Sequence, residues 1–346
     1  MKTKIVSILI IVVMILSQGI IFAEENISWS FDSGVLKISG TGEMKNFSKD
    51  EATPWQELKN EITKIEIAEG ITKVGDWSFW GLSNLRDVSF SSTVKVIGER
   101  AFYECSALEH LKFPDSIKTI ETGAFNSCQS IIRIDFGQGL ELIEKSAFMN
   151  LPKLTSVTIP ENVKHMDNWV FNGCTKLASI YFEGAMPVLG QGVFAQIYEN
   201  YKVYYPEAKA DSWKDFAKSS PETILPYNPE ERIRVYLNNS QINFDQQPII
   251  INGRTLVPVR AIFEAMGGVV GWDAENSTVV AERDGVVIKM PIDSNVFYKN
   301  DEAVTLDTPA QIVNSRTLVP ARAVSESFGA EVSWNDSERA VYIEMK

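Results

Sequence analysis

The sequence predicts two architectures in one chain: a solenoid of short parallel strands, followed by an α+β domain built from an internal duplication. Two periodicities carry the prediction. Phe79, Phe102, Phe125, Phe148 and Phe171 recur every 23 residues, and the block at 252–261 returns at 314–323, 62 residues later. A unit of 23 residues cannot bury its apolar face alone, so neighbouring units must stack to do it.

At 346 residues the chain is long enough for two domains, and its hydrophobic content of 45% is that of an ordinary globular protein. Residues 1–23 read as a secretory signal peptide. Lys2 and Lys4 give the positive start, 5–16 is apolar apart from Ser7, and Ala23 suits cleavage. A retained anchor is the competing reading, because 5–22 nearly reaches the ~18–20 residues that span a bilayer. No other stretch could span a membrane. Loss of the segment with its two lysines takes the net charge from −12 to −14. Neither nucleic acid nor anionic lipid is then expected as main partner, since both require clustered Lys or Arg.

Residues 24–70 read as an N-terminal cap and an incomplete first coil. Ile27, Trp29 and Phe31, then Val35 to Ile38, show strand-like alternation, with Gly34, Gly40 and Gly42 as turn points. Ile62, Ile65 and Ile67 occupy repeat positions fifteen, eighteen and twenty. Pro54-Trp55 is placed to cover the end of the apolar stack.

The solenoid proper is assigned to 71–206. Counting Ile71 as position one, the fourth position is always apolar (Val74, Ile97, Ile120, Ile143, Met166), and so is the fifteenth (Leu85, Leu108, Ile131, Leu154, Leu177). Positions sixteen to twenty alternate and read as a short strand. Cys105, Cys128 and Cys174 share the twelfth position with Leu82 and Leu151, which marks it as core. Cys105 and Cys128 fall in adjacent coils, so a disulfide is sterically conceivable in an oxidising compartment.

Outward positions seventeen and nineteen carry Asp87 and Ser89, His110 and Lys112, Arg133 and Asp135, Ser156 and Thr158, Ser179 and Tyr181. If the strands pair side by side, these residues form one continuous surface, read either as a solvated face or as a ligand surface. A degraded sixth coil runs through 186–206, with Asn200 at the fifteenth position. Residues 207–232 are assigned to a C-terminal cap, with Trp213 and Phe216 on one helical face, and to a linker punctuated by Pro221, Pro226 and Pro229.

These units resemble the BspA-like leucine-rich repeat family, over residues 28 to about 227. The I-G-x-x-A-F-x-x-C core is best preserved as Ile97-Gly98-Glu99-Arg100-Ala101-Phe102-Tyr103-Glu104-Cys105. Glu121 and Glu144 depart from the glycine, and Trp77 and Trp169 precede Ser78 and Val170 where Ala is usual. The resemblance implies a leucine-rich repeat solenoid at the surface of, or secreted by, a bacterium, and used for adhesion or macromolecular recognition.

In the domain at 233–346, Arg254-Thr255-Leu256-Val257-Pro258-Val259-Arg260-Ala261 returns as Arg316-Thr317-Leu318-Val319-Pro320-Ala321-Arg322-Ala323. The offset holds through Gly267 and Gly329, Trp272 and Trp334, and Val279 and Val341. Each half reads as strand, turn, short helix and hairpin, with the prolines in the first helical turn and Gly267 and Gly329 as helix stops. Arg260–Glu264 and Arg322–Glu326 are i,i+4 pairs, read as structural salt bridges. The repeated tryptophans are read as core. This domain resembles the stalk module named for the N-terminal domain of copper amine oxidases. The resemblance does not bring copper chemistry with it. The catalytic part of those enzymes uses three histidines and an N-Y-[DE]-Y setting, whereas this chain has only His110 and His165, and Asn200-Tyr201 is followed by Lys202.

No phosphate loop, zinc spacing, nucleophile elbow or H-E-x-x-H is present. Acidic pairs such as Asp50-Glu51 and Glu230-Glu231 lack a partner motif. A non-catalytic protein without cofactor or metal is therefore expected, binding an extracellular protein or glycan through the strand face, with the stalk domain as spacer or attachment. The candidate ligand residues are His110, Lys112, Arg133, Asp135, Tyr181 and Tyr204. Two alternatives stand: an envelope-associated module whose stalk domain binds cell-wall glycan while the repeats are structural, and a hydrolase with an unrecognised site.

Overall fold

The structure is a computed structural model that describes residues 20–346 except 25, 222, 230, 239, 243, 245, 314 and 315. The expected signal segment lies outside the described residues as far as residue 19. Ile20–Glu24, at its end, pairs antiparallel with Ile27–Asp32. The described chain divides into two compact units, one holding 20–154, 159–177 and 186–199, the other 155–158, 178–185 and 200–346.

In the first unit, the 23-residue period becomes a parallel ladder. Gly42–Glu43, Ile71–Val74, Val96–Ile97, Thr119–Ile120, Leu142–Ile143, His165–Met166 and Val188–Leu189 follow one another as a seven-stranded sheet. Ile97, Ile120, Ile143 and Met166 are successive register partners, so the fourth position of every coil stays in line. Inside this ladder the ninth-position phenyl rings stack. Phe102 and Phe125 lie 5.1 Å apart at 3°, and Phe125 and Phe148 lie 5.6 Å apart at 1°. A second column, Phe90, Phe113 and Phe136, meets the first edge-on at 5.3–5.9 Å. The two ring arrangements are the offset-stacked and T-shaped geometries that the aromatic quadrupole favours.

The three cysteines are free and buried. Each thiol donates to the phenylalanine carbonyl of the preceding coil: Cys105 to Phe79, Cys128 to Phe102 and Cys174 to Phe148, at 3.1–3.3 Å. Trp55 closes the N-terminal end as expected. It stacks on Phe79 at 5.3 Å, and its Nε1 donates to the Ser78 carbonyl at 2.9 Å.

Two features of the coil had no local signature strong enough to read. Positions seven and eleven are left-handed in every coil from Ile71 onward: Trp77, Arg100, Gly123, Ser146, Trp169 and Gly192, then Gly81, Glu104, Ser127, Asn150, Gly173 and Gln196. Glycine fills only four of these twelve places, so neighbouring coils must hold the others in a costly conformation. The large side chains also need room. A Cβ on Gly192 would lie 2.6 Å from Trp169 Cδ1, and one on Gly123 would lie 3.2 Å from Arg100 Cγ.

The departures Glu121 and Glu144 have a structural use. Glu121 carboxylate oxygens accept Lys73 Nζ at 2.9 Å and the Glu99 N–H at 3.1 Å, and Glu144 accepts the Thr122 N–H and hydroxyl. Carboxylates at this position therefore tie backbone donors of the preceding coil.

In the second unit, Ser156–Ile159, Ser179–Phe182, Lys202–Pro206 and Ile224–Tyr227 form a four-stranded sheet. Helix α1 (Ala210–Ser219) buries Trp213 against Phe182 and Tyr205, and Trp213 Nε1 donates to the Gly184 carbonyl. The expected linker is corrected here, because Ile224–Tyr227 is a strand paired parallel to 203–206. It is the edge strand, where Pro226 can sit without removing a needed N–H.

The duplication repeats a run of five elements 62 residues later. Ile249–Ile251, Arg254–Pro258, α2 (Val259–Ala265), Val269–Asp273 and Thr278–Arg283 become Gln311–Val313, Arg316–Pro320, α3 (Ala321–Ser327), Glu331–Asn335 and Ala340–Glu344. Val257 pairs antiparallel with its own counterpart, Val319, which places a local two-fold axis between the halves. Gly267 and Gly329 both have φ of +81° and end the helices. Pro258 and Pro320 differ slightly from expectation: with ψ near +115° they close the strands and immediately precede the helices. Arg322 and Glu326 approach at 3.8 Å, and no ion pair joins Arg260 to Glu264 among the described residues. The core assignment of the tryptophans fails for Trp272, which is 48% exposed on an edge strand, while Trp334 is half-buried.

Candidate functional site

The sequence-derived site is built on two short strands, His110–Lys112 and Arg133–Asp135, which pair parallel. Strand alternation sends Leu111 and Ile134 into the core, each about 1% exposed, and turns the residues on either side outward. Register then sets His110 beside Arg133 and Lys112 beside Asp135. The four side chains form a compact block of mixed charge. His110 and Lys112 are exposed, whereas Arg133 and Asp135 are half-buried and joined by a bond from Nε to Oδ1 of 2.9 Å. Asp87 and Ser89 are also exposed, on the strand Asp87–Phe90, with Lys64 at 3.7 Å from Asp87 and 3.0 Å from Glu66.

The electrostatics of the block are coupled. Partial withdrawal from water, and then the Arg133 charge, hold the His110 imidazole below its ordinary value. Burial raises the Asp135 carboxyl, and Arg133 pulls it back down. On the separate seven-stranded ladder, burial opposes the Lys73 charge, but Glu121 and Asp76 outweigh it and raise the ammonium. The block can thus offer a neutral imidazole, an ammonium and a carboxylate paired with a guanidinium, which is equipment for recognising polar groups.

A single surface requires these strands to pair side by side, and their hydrogen-bonded pairing falls into three groups. The strands at positions sixteen to twenty fall into a five-stranded sheet ending at Asp87–Phe90, the pair just described, and the four-stranded sheet of the second unit. Tyr181 and Tyr204 lie in the last of these, stacked at 4.5 Å. Tyr181 is corrected as a ligand residue, being 1% exposed, and Ser156 and Ser179 are buried beside it. The cause is Arg232, whose guanidinium lies 4.4 Å over the Tyr181 ring and donates from Nη2 to Thr158 Oγ1 at 3.2 Å. Tyr227 packs edge-on against Tyr181 and donates its hydroxyl to the Phe182 carbonyl. The sequence reading had placed both covering residues in a linker. Tyr204 is half-buried.

The residues do not suit a copper centre. His110 lies on the outward strand and His165 in the separate seven-stranded ladder, and no group of three or more His, Cys, Asp or Glu capable of holding a metal occurs among the described residues. Among those residues no helix is long and apolar enough to cross a membrane.

Comparison with known proteins supports both resemblances. The BspA type Leucine rich repeat region matches in six copies over residues 57–178 and 95–211, and the Copper amine oxidase N-terminal domain matches residues 236–343. No curated protein sequence matches. Among solved structures, the chain is similar to a leucine-rich repeat protein from Eubacterium ventriosum (16% identity, 67% of this chain and 91% of that one, TM-score 0.27). It is also similar to the leucine-rich repeat protein of T. pallidum (21% identity, 56% and 94%, TM-score 0.39). A third is a leucine rich cell surface protein from Faecalibacterium prausnitzii (17% identity, 47% and 55%, TM-score 0.31).

Proposed function

We propose that this chain is a secreted or cell-surface, non-catalytic binding protein that engages an extracellular protein or glycan through the block His110, Lys112, Arg133 and Asp135. The 233–346 domain then serves as spacer or attachment. The observation that carries the reading is the placement of four different polar side chains on adjacent strands above a fully apolar core, with two of them exposed and two held in fixed geometry. Preorganised charged groups favour recognition because less side-chain freedom is lost when a partner binds.

The test is charge reversal at Lys112, which is exposed and lies beside the Asp135 carboxyl, in the full chain. Binding to a panel of matrix proteins and mucins should fall at least tenfold in Lys112→Glu and in Lys112→Ala alike, the second of which places no like charge opposite Asp135 and keeps the fold by circular dichroism. Equal binding by wild type and variant would move the ligand surface elsewhere. A second reading, attachment to cell-wall glycan through the C-terminal domain, is favoured by the exposed Trp272, an aromatic face on an edge strand.

A further inference from the structure

The C-terminal duplication creates a cleft of about 330 Å³ that draws on both halves. Arg254, from the first half, faces Arg322 and Arg339, from the second, while Ile250, Val332 and Trp334 supply an apolar wall. The motif R-T-L-V-P-x-R-A thus sends its first arginine from one half, and its second from the other, to the same opening. Carboxylates partly balance these charges. Arg254 pairs with Asp307, Nε donating at 2.8 Å, Arg322 lies 3.8 Å from Glu326, and Asp336 accepts Trp334 Nε1 at 3.2 Å, which fixes the ring.

Arg339 is different. Its Nε is buried and has no hydrogen-bond partner among the described residues, which is costly for a charged group and calls for an explanation. The duplication supplies an internal comparison. The counterpart of Arg339 is Ser277, and both residues are left-handed, with φ of +48° and +46°. In both places the backbone carbonyl accepts an N–H from a neighbouring segment, Arg234 N beside a parallel strand pair and Ile292 N beside an antiparallel one. The fold is therefore satisfied by serine, and nothing in the backbone asks for a long cationic side chain. The sister positions otherwise repeat the set, with Arg316, Arg260 and Trp272, but with Ala274 in place of Asp336.

We propose that this cleft binds a sugar carrying an anionic group, a carboxylate or a phosphate, with the anion on Arg339 and Arg322 and the ring against Trp334. Guanidinium forks match planar or tetrahedral oxyanions, and an aromatic wall offers an apolar face that a sugar ring can cover. This rests on the reading that the C-terminal domain binds cell-wall glycan, and it places the site at Trp334 in the cleft instead of at the exposed Trp272.

The experiment titrates the full chain with trigalacturonate, glucose 6-phosphate, maltotriose and inorganic phosphate, by calorimetry and tryptophan fluorescence. Saturable binding of at least one anionic sugar is expected, with maltotriose inert and inorganic phosphate at least tenfold weaker. Trigalacturonate against glucose 6-phosphate decides between carboxylate and phosphate. Arg339→Ser, which installs the residue of the sister half, should weaken that binding at least tenfold without changing the melting temperature. Lys112→Glu should leave it intact, which separates this site from the repeat face. No saturable binding of either anionic sugar, or binding indifferent to Arg339→Ser, overturns the proposal. Inorganic phosphate binding as tightly as the sugars overturns the role of Trp334.

Discussion

Replacing Arg133 with methionine tests the charged block at its most enclosed member. The Arg133 side chain is 12% exposed and that of Asp135 is 22% exposed, with 2.9 Å between Nε and Oδ1. Methionine keeps much of the stem packing but leaves a half-buried carboxylate without its cation. The expected loss is about 1–3 kcal/mol at pH 7, below the ~3–5 kcal/mol of a fully buried broken pair. The same change moves two titrations. Arg133 adds to burial in holding His110 down, so His110 should rise towards its ordinary value of about 6.5 in the variant.

The stability consequences have opposite signs. A histidine whose folded pKa is depressed contributes stability that is fully present above its unfolded value and lost as pH falls through the folded one. Asp135 is raised when folded, so its contribution is present below the ordinary carboxyl value and lost as pH rises through the folded value. Arg133→Met should narrow the histidine window and widen the aspartate window. With only two histidines in the chain, proton NMR resolves both imidazoles, and His165→Gln assigns them. An unchanged or lower His110 pKa in Arg133→Met, or a stability loss under ~0.5 kcal/mol in urea, would refute the coupling argued here.

Two further outcomes follow from the coil geometry. Gly192→Ala should destabilise the last coil more than Gly81→Ala destabilises its own, by differential hydrogen exchange of the flanking amides. Both glycines are left-handed, a cost of ~1–2 kcal/mol, but only Gly192 has Trp169 at 2.6 Å from the new Cβ, while Gly81 has open space. Equal protection in the two variants would show that the tryptophan moves aside freely. The three thiols should be inert to an aromatic disulfide reagent in the native protein and react together on unfolding. Burial raises Cys105 well above its ordinary value and Cys174 to about 12. A fast-reacting native thiol would contradict the buried thiol-to-carbonyl bonds.

What the sequence by itself determined is what repeats. A fixed spacing of apolar residues states which side of each coil or helix must leave water, and neighbours with the same spacing can only satisfy it by stacking in register. The phenylalanine columns, the buried twelfth position and the elements of the two halves at an offset of 62 were legible for that reason. So was the alternation that turns His110, Lys112, Arg133 and Asp135 outward.

Tertiary structure alone decided what meets the outward side. No local pattern says that Arg232 and Tyr227 will cover Tyr181, because a strand face is polar or aromatic whether it meets water or another segment. The pairing of Val257 with Val319, which brings Arg254 to the same cleft as Arg322 and Arg339, is equally invisible along the chain. Periodicity encodes burial one element at a time. Contacts between outward faces depend on distances through space that no spacing in the sequence records.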